Sequence, residues 1–452
     1  MSKALLRAGL SIALACGSVA GFASVIGTNK PALDITRARI LQLPAGQQKV
    51  WLDYLKRSEE QRAADRAALA GERKPGMAVP DLPKESSSAH SMPLDREAAW
   101  YGTAEARHIA DVIVSFQTPA GGWSKNMDMA GTLRQPGQSY APDNLSRHPS
   151  EADFDTPKDP NWNYVGTLDN DATNTELRFL ARVAGQTRTE GESYRKSFLR
   201  GLRYLLAAQF PNGGWPQVWP LEGGYHDAIT YNDNAVTETA DLLTQATSGM
   251  GDYAFVPAEL RHRSAEAMQR ALQCIVTTQI VVHGKRTGWP QQQDPLTLAP
   301  ESGRNYEPPA LATGESADIL IYLMGLPHPS PAIRAAVRNG VDWLKSVEVY
   351  GQEWTGSRRD AEGRHLVAHA GSGPIWARYY SIETGKPIFG DRDKSLHDDV
   401  NELSLERRNG YSWYSDGPLK ALTAYAILGR SRPGKYLPTP HGYGVKSSKH
   451  ET

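Results

Sequence analysis

Apolar residues recur at helical spacing in eight stretches, 100–116, 174–183, 194–209, 236–245, 257–279, 316–324, 331–346 and 418–428, and strand-like alternation is scarce. Asp95, Thr173, Pro257 and Pro331 open or precede several of these stretches and glycine closes others, as helix capping requires. The connections are long and rich in Gly, Pro, Asn and Trp, and loops of that kind tend to carry function. A further amphipathic helix is predicted over 47–69, where Val50, Trp51, Tyr54 and Leu55 share helical spacing. Pro75, Pro80, Pro83, three serines at 86–88 and Pro93 then break the pattern into a linker over 74–95.

A weak repeat orders the helical stretches. Gln117-Thr118-Pro119-Ala120-Gly121-Gly122-Trp123 and Gln209-Phe210-Pro211-Asn212-Gly213-Gly214-Trp215 follow one motif, and Gln279 with Gly288-Trp289 is a stretched third copy. Each copy is followed by a polar helix start: Asp169-Asn170-Asp171, Asn232-Asp233-Asn234, and Thr313-Gly314-Glu315. Recurrence of helix, Gly-Gly-Trp loop, polar start and helix predicts stacked helical hairpins. The expected fold class is therefore mainly α, a helical toroid or incomplete (α/α) barrel with long functional loops.

Composition narrows the function classes. The 452 residues include 50 basic and 50 acidic ones, so the net charge is zero, which excludes a surface built to coat nucleic acid and leaves attraction for a polyanion to local clusters. Residues 1–23 read as a Sec signal peptide, with Lys3 and Arg7 ahead of an apolar run and small residues at candidate cleavage sites, which predicts a secreted or periplasmic protein. Cys16 follows Ala13-Leu14-Ala15, a poor lipoprotein box, and no second apolar run approaches membrane-spanning length. Without the leader, Cys274 is the one remaining cysteine, so no intrachain disulfide is available. The expected organisation is a helical extension and linker over 24–95, a catalytic domain over 96–440 and an irregular tail over 441–452, in a monomer.

The polar helix starts admit two readings. Asp, Asn and Thr before a helix ordinarily cap its free N–H groups. Asp169-Asn170-Asp171 and Asn232-Asp233-Asn234 offer more short oxygen donors than a cap needs, and carboxylates with amide carbonyls suit calcium, although neither forms an EF-hand loop. Arg304 stands among such starts and Gly-Trp loops rather than in a basic run, which points to chemistry on an acidic ligand; an ion pair with Glu301 or Glu307 is the plainer alternative. Lys125 and Asn126 follow Trp123, and Arg378 and Arg392 lie beside aromatic segments; solvated or ion-paired surface positions are the alternative for each. Trp123, Trp215 and Trp289 either stack on sugar rings or fill the core.

The segments Gly121-Gly122-Trp123-Ser124-Lys125-Asn126, Thr167-Leu168-Asp169-Asn170-Asp171-Ala172-Thr173, Asp294-Pro295-Leu296, Glu301-Ser302-Gly303-Arg304, Ala377-Arg378-Tyr379-Tyr380 and Gly390-Asp391-Arg392-Asp393 resemble, in order, the pectate lyases of polysaccharide lyase family 10 over roughly 96–430. Gln293 departs from the resemblance, which implies a histidine before Asp294. The resemblance implies calcium-dependent β-elimination of polygalacturonate, the backbone of pectin. It matches Arg304 to the Brønsted base, Asp169, Asn170 and Asp233 to the calcium set, and Arg378 and Arg392 to substrate binding; Asn170, Lys125, Asn126 and Tyr306 complete the expected substrate contacts.

Elimination requires removal of the C5 proton, which becomes acidic when positive charge neutralises the adjacent carboxylate. A guanidine accepts a proton only when neutral, and neutralising it near pH 9 costs about 5–7 kcal/mol unless nearby positive charge lowers its pKa. Calcium, Arg378 and Arg392 are expected to supply that charge, which predicts an alkaline optimum. Three alternatives remain at this level. One is a glycoside hydrolase using Asp169 and Asp233 as carboxylates on either side of the bond, about 5–10 Å apart. Another is a terpene-cyclase-like protein, whose repeats resemble these. The third is a non-catalytic pectin-binding module.

Overall fold

The computed structural model describes residues 24–146, 152–159, 162–187 and 191–430, so the leader, Cys16 and the tail lie outside the described residues. The helices in chain order are α1 (Arg37–Ile40), α2 (Ala45–Glu72), α3 (Ser88–Ser91), α4 (Ala104–Phe116), α5 (Asn174–Gln186), α6 (Glu192–Ala208), α7 (Ala235–Ser248), α8 (Ala258–Thr277), α9 (Thr313–Gly325), α10 (Pro331–Ser346), α11 (Leu405–Asn409) and α12 (Leu419–Arg430). Helices α4, α6, α8 and α10 pack in series as one layer, and α5, α7, α9 and α12 pack in series as the other. Short strands tie the loops together, and no closed barrel forms: the architecture is the expected mainly helical toroid, left incomplete.

The repeat has a hydrogen-bond grammar. Gln117 Nε2 donates to the Gly121 carbonyl of its own loop and to Ser197 of the next outer-layer helix; Gln209 does the same to Gly213 and Ala267, and Gln279 to Thr287 and Ala336. Each glutamine thus clips its loop to the following hairpin, which a buried amide must do to satisfy its own donors. Trp123, Trp215 and Trp289 are fully buried, and their indole N–H groups donate to Ile113, Leu205 and Ile275 at 2.7, 2.8 and 2.7 Å. The tryptophans are core, not sugar platforms. Trp376, whose indole donates to Leu344 at 2.8 Å after α10, is a fourth copy that has lost the Gln and Gly-Gly signature.

The polar starts do not cap. Asp169–Asp171 and Asn232–Asn234 form single 3-10 turns ahead of α5 and α7, and Thr173 and Asn234, at the two cap positions, accept no cap bond. Asn170, Asp171, Thr173, Asp233 and Asn234 have φ between 50 and 64°, a left-handed conformation that Asn and Asp tolerate better than most residues. Thr173 Oγ1 instead accepts from the Trp123 N–H at 3.1 Å, fastening the loop carrying Lys125 to the start of α5. True caps occur elsewhere: Thr103 rather than Asp95 caps α4, and Ser330 caps α10 with Pro331 at its first position.

Residues 24–95 pack onto the toroid rather than standing apart from it. Trp51 and Tyr54 of α2 meet Phe210 at ring distances of 5.5 and 5.1 Å, and the Tyr54 hydroxyl donates to Ala208 at 2.8 Å. Gly27–Thr28 pairs antiparallel with Leu396 and Ser395, on the hairpin that carries Arg392.

Candidate active site

The inner helices α5, α7 and α9 bring their N-terminal turns together, since the turns at Asp169–Asp171 and Asn232–Asn234 touch each other and the second touches α9. Helix N-termini carry partial positive charge, so their convergence favours an anionic ligand. Asp169 is held by Lys125 Nζ on Oδ2 at 2.5 Å and by Gln217 Nε2 on Oδ1 at 2.9 Å. Lys125 also lies 3.5 Å from the Tyr164 ring centroid, a cation–π contact. Asp233 accepts from Asn232 Nδ2 at 2.9 Å and stands close enough to Asp169 for the two carboxyls to interact. Burial and the Asp169 charge push the Asp233 carboxyl well above its usual range. Burial also opposes ionisation of Asp169, but Lys125 outweighs it and keeps that carboxylate charged. One proton between two touching carboxylates is the expected outcome of like charges at that separation.

Asn170 donates Nδ2 to Asn126 Oδ1 at 2.9 Å, which leaves its own Oδ1 as a ligand oxygen. Two carboxylates that repel each other, with an amide oxygen beside them, form a hard-oxygen donor set that a divalent cation would relieve, so Asp169, Asn170 and Asp233 fit calcium. Among the described residues no group of three or more His, Cys, Asp and Glu side chains forms a metal cage.

Arg304 sits on the loop that follows Pro300–Glu301, itself paired with Gln292–Gln293, whose other neighbour is Ile229–Thr230 just before the Asn232 turn. Of the two carboxylates weighed as its ion-pair partner, Glu307 is the one used: its Oε1 accepts from Arg304 Nε at 3.1 Å and Nη2 at 2.7 Å, and its Oε2 accepts from the Arg304 backbone N–H at 2.8 Å. Glu301 instead accepts from the Leu33 N–H at 2.6 Å. The Arg304 side chain remains 28% exposed, so a ligand can reach it. Burial favours its neutral form, yet Glu307 reverses the balance and the guanidinium pKa stands well above its ordinary value. That corrects the expectation that neighbouring positive charge lowers it: in the ligand-free protein the nearest charge is negative.

Three arginines share one aromatic platform. Arg304 lies 5.1 Å from the Tyr306 ring and 6.0 Å from the Tyr411 ring, Arg378 lies 4.5 Å from Tyr411, and Arg392 lies 5.3 Å from Tyr306. Arg378 reaches this position because Tyr379–Tyr380 pairs with Leu311–Ala312 at the start of α9, where Glu315 accepts from Arg378 Nη2 at 3.0 Å. Arg392 pairs with Glu406 at 2.8 and 3.2 Å. Tyr306 is only 3% exposed, so it supports the arginines from beneath, which corrects the expectation of a direct substrate contact.

A continuous run of close polar contacts joins the two halves of the site. Glu307 accepts from the Tyr411 hydroxyl at 2.7 Å, Tyr411 meets the Tyr379 hydroxyl at 2.7 Å, Tyr379 donates to Gln291 Oε1, Gln291 donates to Asn232 at 2.9 Å, and Asn232 donates to Asp233. Glu307, Gln291 and Arg407, which stacks 4.0 Å from Tyr306, carry no sequence motif that marks them as site residues. Gln291 had one cue, the Trp-Pro-Gln shared by two repeats, and Glu307 entered only as a candidate ion partner of Arg304. Gln293, in place of the implied histidine, is buried and donates to Thr278 at 2.7 Å, a structural role at the end of α8.

A helical toroid with an arginine cluster beside paired carboxylates is the architecture of a polysaccharide lyase. Solved structures of a family 10 polysaccharide lyase from Cellvibrio cellulosa share the fold. One matches with TM-score 0.62 and 29% identity, covering 76% of this chain and 98% of that one. An aspartate-to-alanine variant of that enzyme, in complex with trigalacturonic acid, matches with TM-score 0.61 and 29% identity, covering 76% of this chain and 100% of that one. No curated protein matches the chain. The family model of pectic acid lyases matches residues 117–422, and the chain belongs to that family; it is a pectate lyase.

Proposed function

We propose that the chain cleaves polygalacturonate by calcium-assisted β-elimination with Arg304 as the base. The observation that carries this reading is the gathering of Arg304, Arg378 and Arg392 on Tyr306 and Tyr411, linked through Glu307 and Gln291 to the Asp169–Asp233 pair. Arg378 and Arg392 bind and orient galacturonate carboxylates, and Lys125 and Asn126 meet the chain beside Asp169. Asp169, Asn170 and Asp233 would hold the calcium ion, which would supply positive charge to neutralise the substrate carboxylate and make the C5 proton more acidic. Arg304, once neutral, takes the C5 proton; the C5–H electrons form the C4=C5 double bond as the C4–O bond breaks, and the departing oxygen takes its proton from water. The product is a 4,5-unsaturated oligogalacturonide.

Hydrolysis fits less well. Asp169 and Asp233 interact directly as neighbouring carboxyls, whereas a pair of hydrolytic carboxylates stands about 5–10 Å apart to flank the bond. The enzyme is further proposed to be monomeric and exported, with residues 1–23 as its leader. N-terminal mass spectrometry of protein recovered from the periplasm or medium tests export, and light scattering tests the monomer. The central test is ultraviolet absorbance of unsaturated product on polygalacturonate, with and without a chelator. Product that is saturated, or turnover indifferent to the chelator, sinks the calcium-assisted elimination.

A further inference from the structure

We propose that Asn29, upstream of the family-matched region that begins at residue 117, is a positioning residue for the catalytic arginine. Its side-chain amide is buried, 4% exposed, and Nδ2 donates to three carbonyls of the Arg304 turn: Arg304 at 3.3 Å, Asn305 at 3.0 Å and Glu307 at 3.3 Å. Oδ1 accepts from Ser302 Oγ at 2.7 Å and from the Lys30 N–H at 3.0 Å, so every polar capacity of the amide is used on this loop or on its own strand end. The Asn29 backbone N–H donates to Lys394 at 2.8 Å, extending the pairing of Gly27–Thr28 with the hairpin that carries Arg392. Asn305 closes the triangle, with Nδ2 donating to the Arg392 carbonyl at 2.8 Å.

One asparagine therefore locks the turn that presents Arg304 and Glu307 and ties it to the turn that presents Arg392. The Arg304 turn closes on itself through Gly303 and Glu307, at 3.0 and 2.9 Å, but those bonds set only its shape. Its position against the neighbouring loop is held by the Asn305–Arg392 bond together with the N-terminal segment. That segment adds Leu33, whose N–H holds Glu301, and Arg39, which pairs with Asp294.

The inference rests on Arg304 as the proton acceptor, and the test separates the two. Arg304→Ala, Asn29→Ala and Asn29→Asp are compared in the full chain for kcat, KM, pH profile and thermal midpoint. Asn29→Asp keeps the size and the acceptor but removes both N–H donors that serve the three carbonyls. Both Asn29 variants are expected to lose about ten- to a hundredfold in kcat with KM within about twofold, as misplacement of a reacting group does. The acidic limb moves to lower pH, because a loosened turn holds the Arg304 proton less firmly. Asn29→Ser serves where a variant does not fold. A lowered midpoint with wild-type kcat and pH limb overturns the inference and leaves Arg304 standing. Full turnover in Arg304→Ala removes the reading beneath it.

Discussion

Arg304 and Glu307 place opposite demands on each other. Glu307 orients the guanidinium with two hydrogen bonds and takes a third from the Arg304 backbone N–H, and its charge also holds the arginine proton on. Arg304→Ala is expected to lower kcat by about 10²–10⁴ with KM little changed, the usual weight of a general base. Glu307→Gln removes the charge that raises the Arg304 pKa, so more arginine is neutral at a given pH and the acidic limb shifts downward; an unmoved limb in steady-state rates argues against Arg304 as the base. The same variant has a stability signature. Glu307 is opposed by burial but held by Arg304 at a pKa of about 2, below its ordinary 4.5. Its contribution is therefore present above pH 4.5 and lost as pH falls toward 2, and urea melts of Glu307→Gln should show a weaker acid dependence in that window.

At the level of elements, the repeat works because its glycines admit backbone where a side chain cannot go. Gly213 has φ of +95° and a Cβ there would lie 2.2 Å from the Arg270 carbonyl oxygen, while Gly224, at φ of +62°, has no atom within 4 Å. Gly213→Ala combines strain with a backbone clash and is expected to cost well over about 1 kcal/mol, against strain alone in Gly224→Ala. Equal midpoint shifts in calorimetry would show that the Gly-Gly-Trp loop is not packed as described. The same loops deliver Lys125 and the Asp169 turn, so a damaged clip reaches the site through Thr173 and Gln217.

Over the whole molecule, buried carboxylates set a conflict between stability and alkaline activity. Burial raises Glu176 and Glu222 to about 8 from 4.5, and Asp227 to about 7 from 3.8. Acids raised in the folded state favour folding below their unfolded pKa, and that advantage is lost as pH climbs through the folded value. Thermal midpoints should therefore decline between about pH 4.5 and 8, and Glu222→Gln should flatten the decline. Calcium should oppose it by relieving the Asp169–Asp233 repulsion, stabilising by about 2.7 kcal/mol at a hundredfold excess over Kd. A midpoint shift by calcium that persists in Asp233→Asn would place the ion elsewhere.

Local chemistry made much of this protein readable in advance. Helical periodicity located every large helix within a few residues, the Gln and Gly-Gly-Trp pattern revealed the stacked hairpins, Asp169 and Asp233 stood out because their clusters offer more oxygen donors than a cap needs, and Arg304 because it stands outside any basic run. Those signals are legible because periodicity, turn chemistry and charge act over a few neighbouring residues. The tertiary structure alone decided which carboxylate pairs with Arg304, that Tyr306 lies beneath the arginines rather than against substrate, and that Asn29 holds a turn some 275 residues away. Such partners meet only when separate loops close on one another, and the burial and Asp169 charge that raise the Asp233 pKa, like the Glu307 charge that outweighs burial to raise that of Arg304, are properties of the assembled site, not of any segment of the chain.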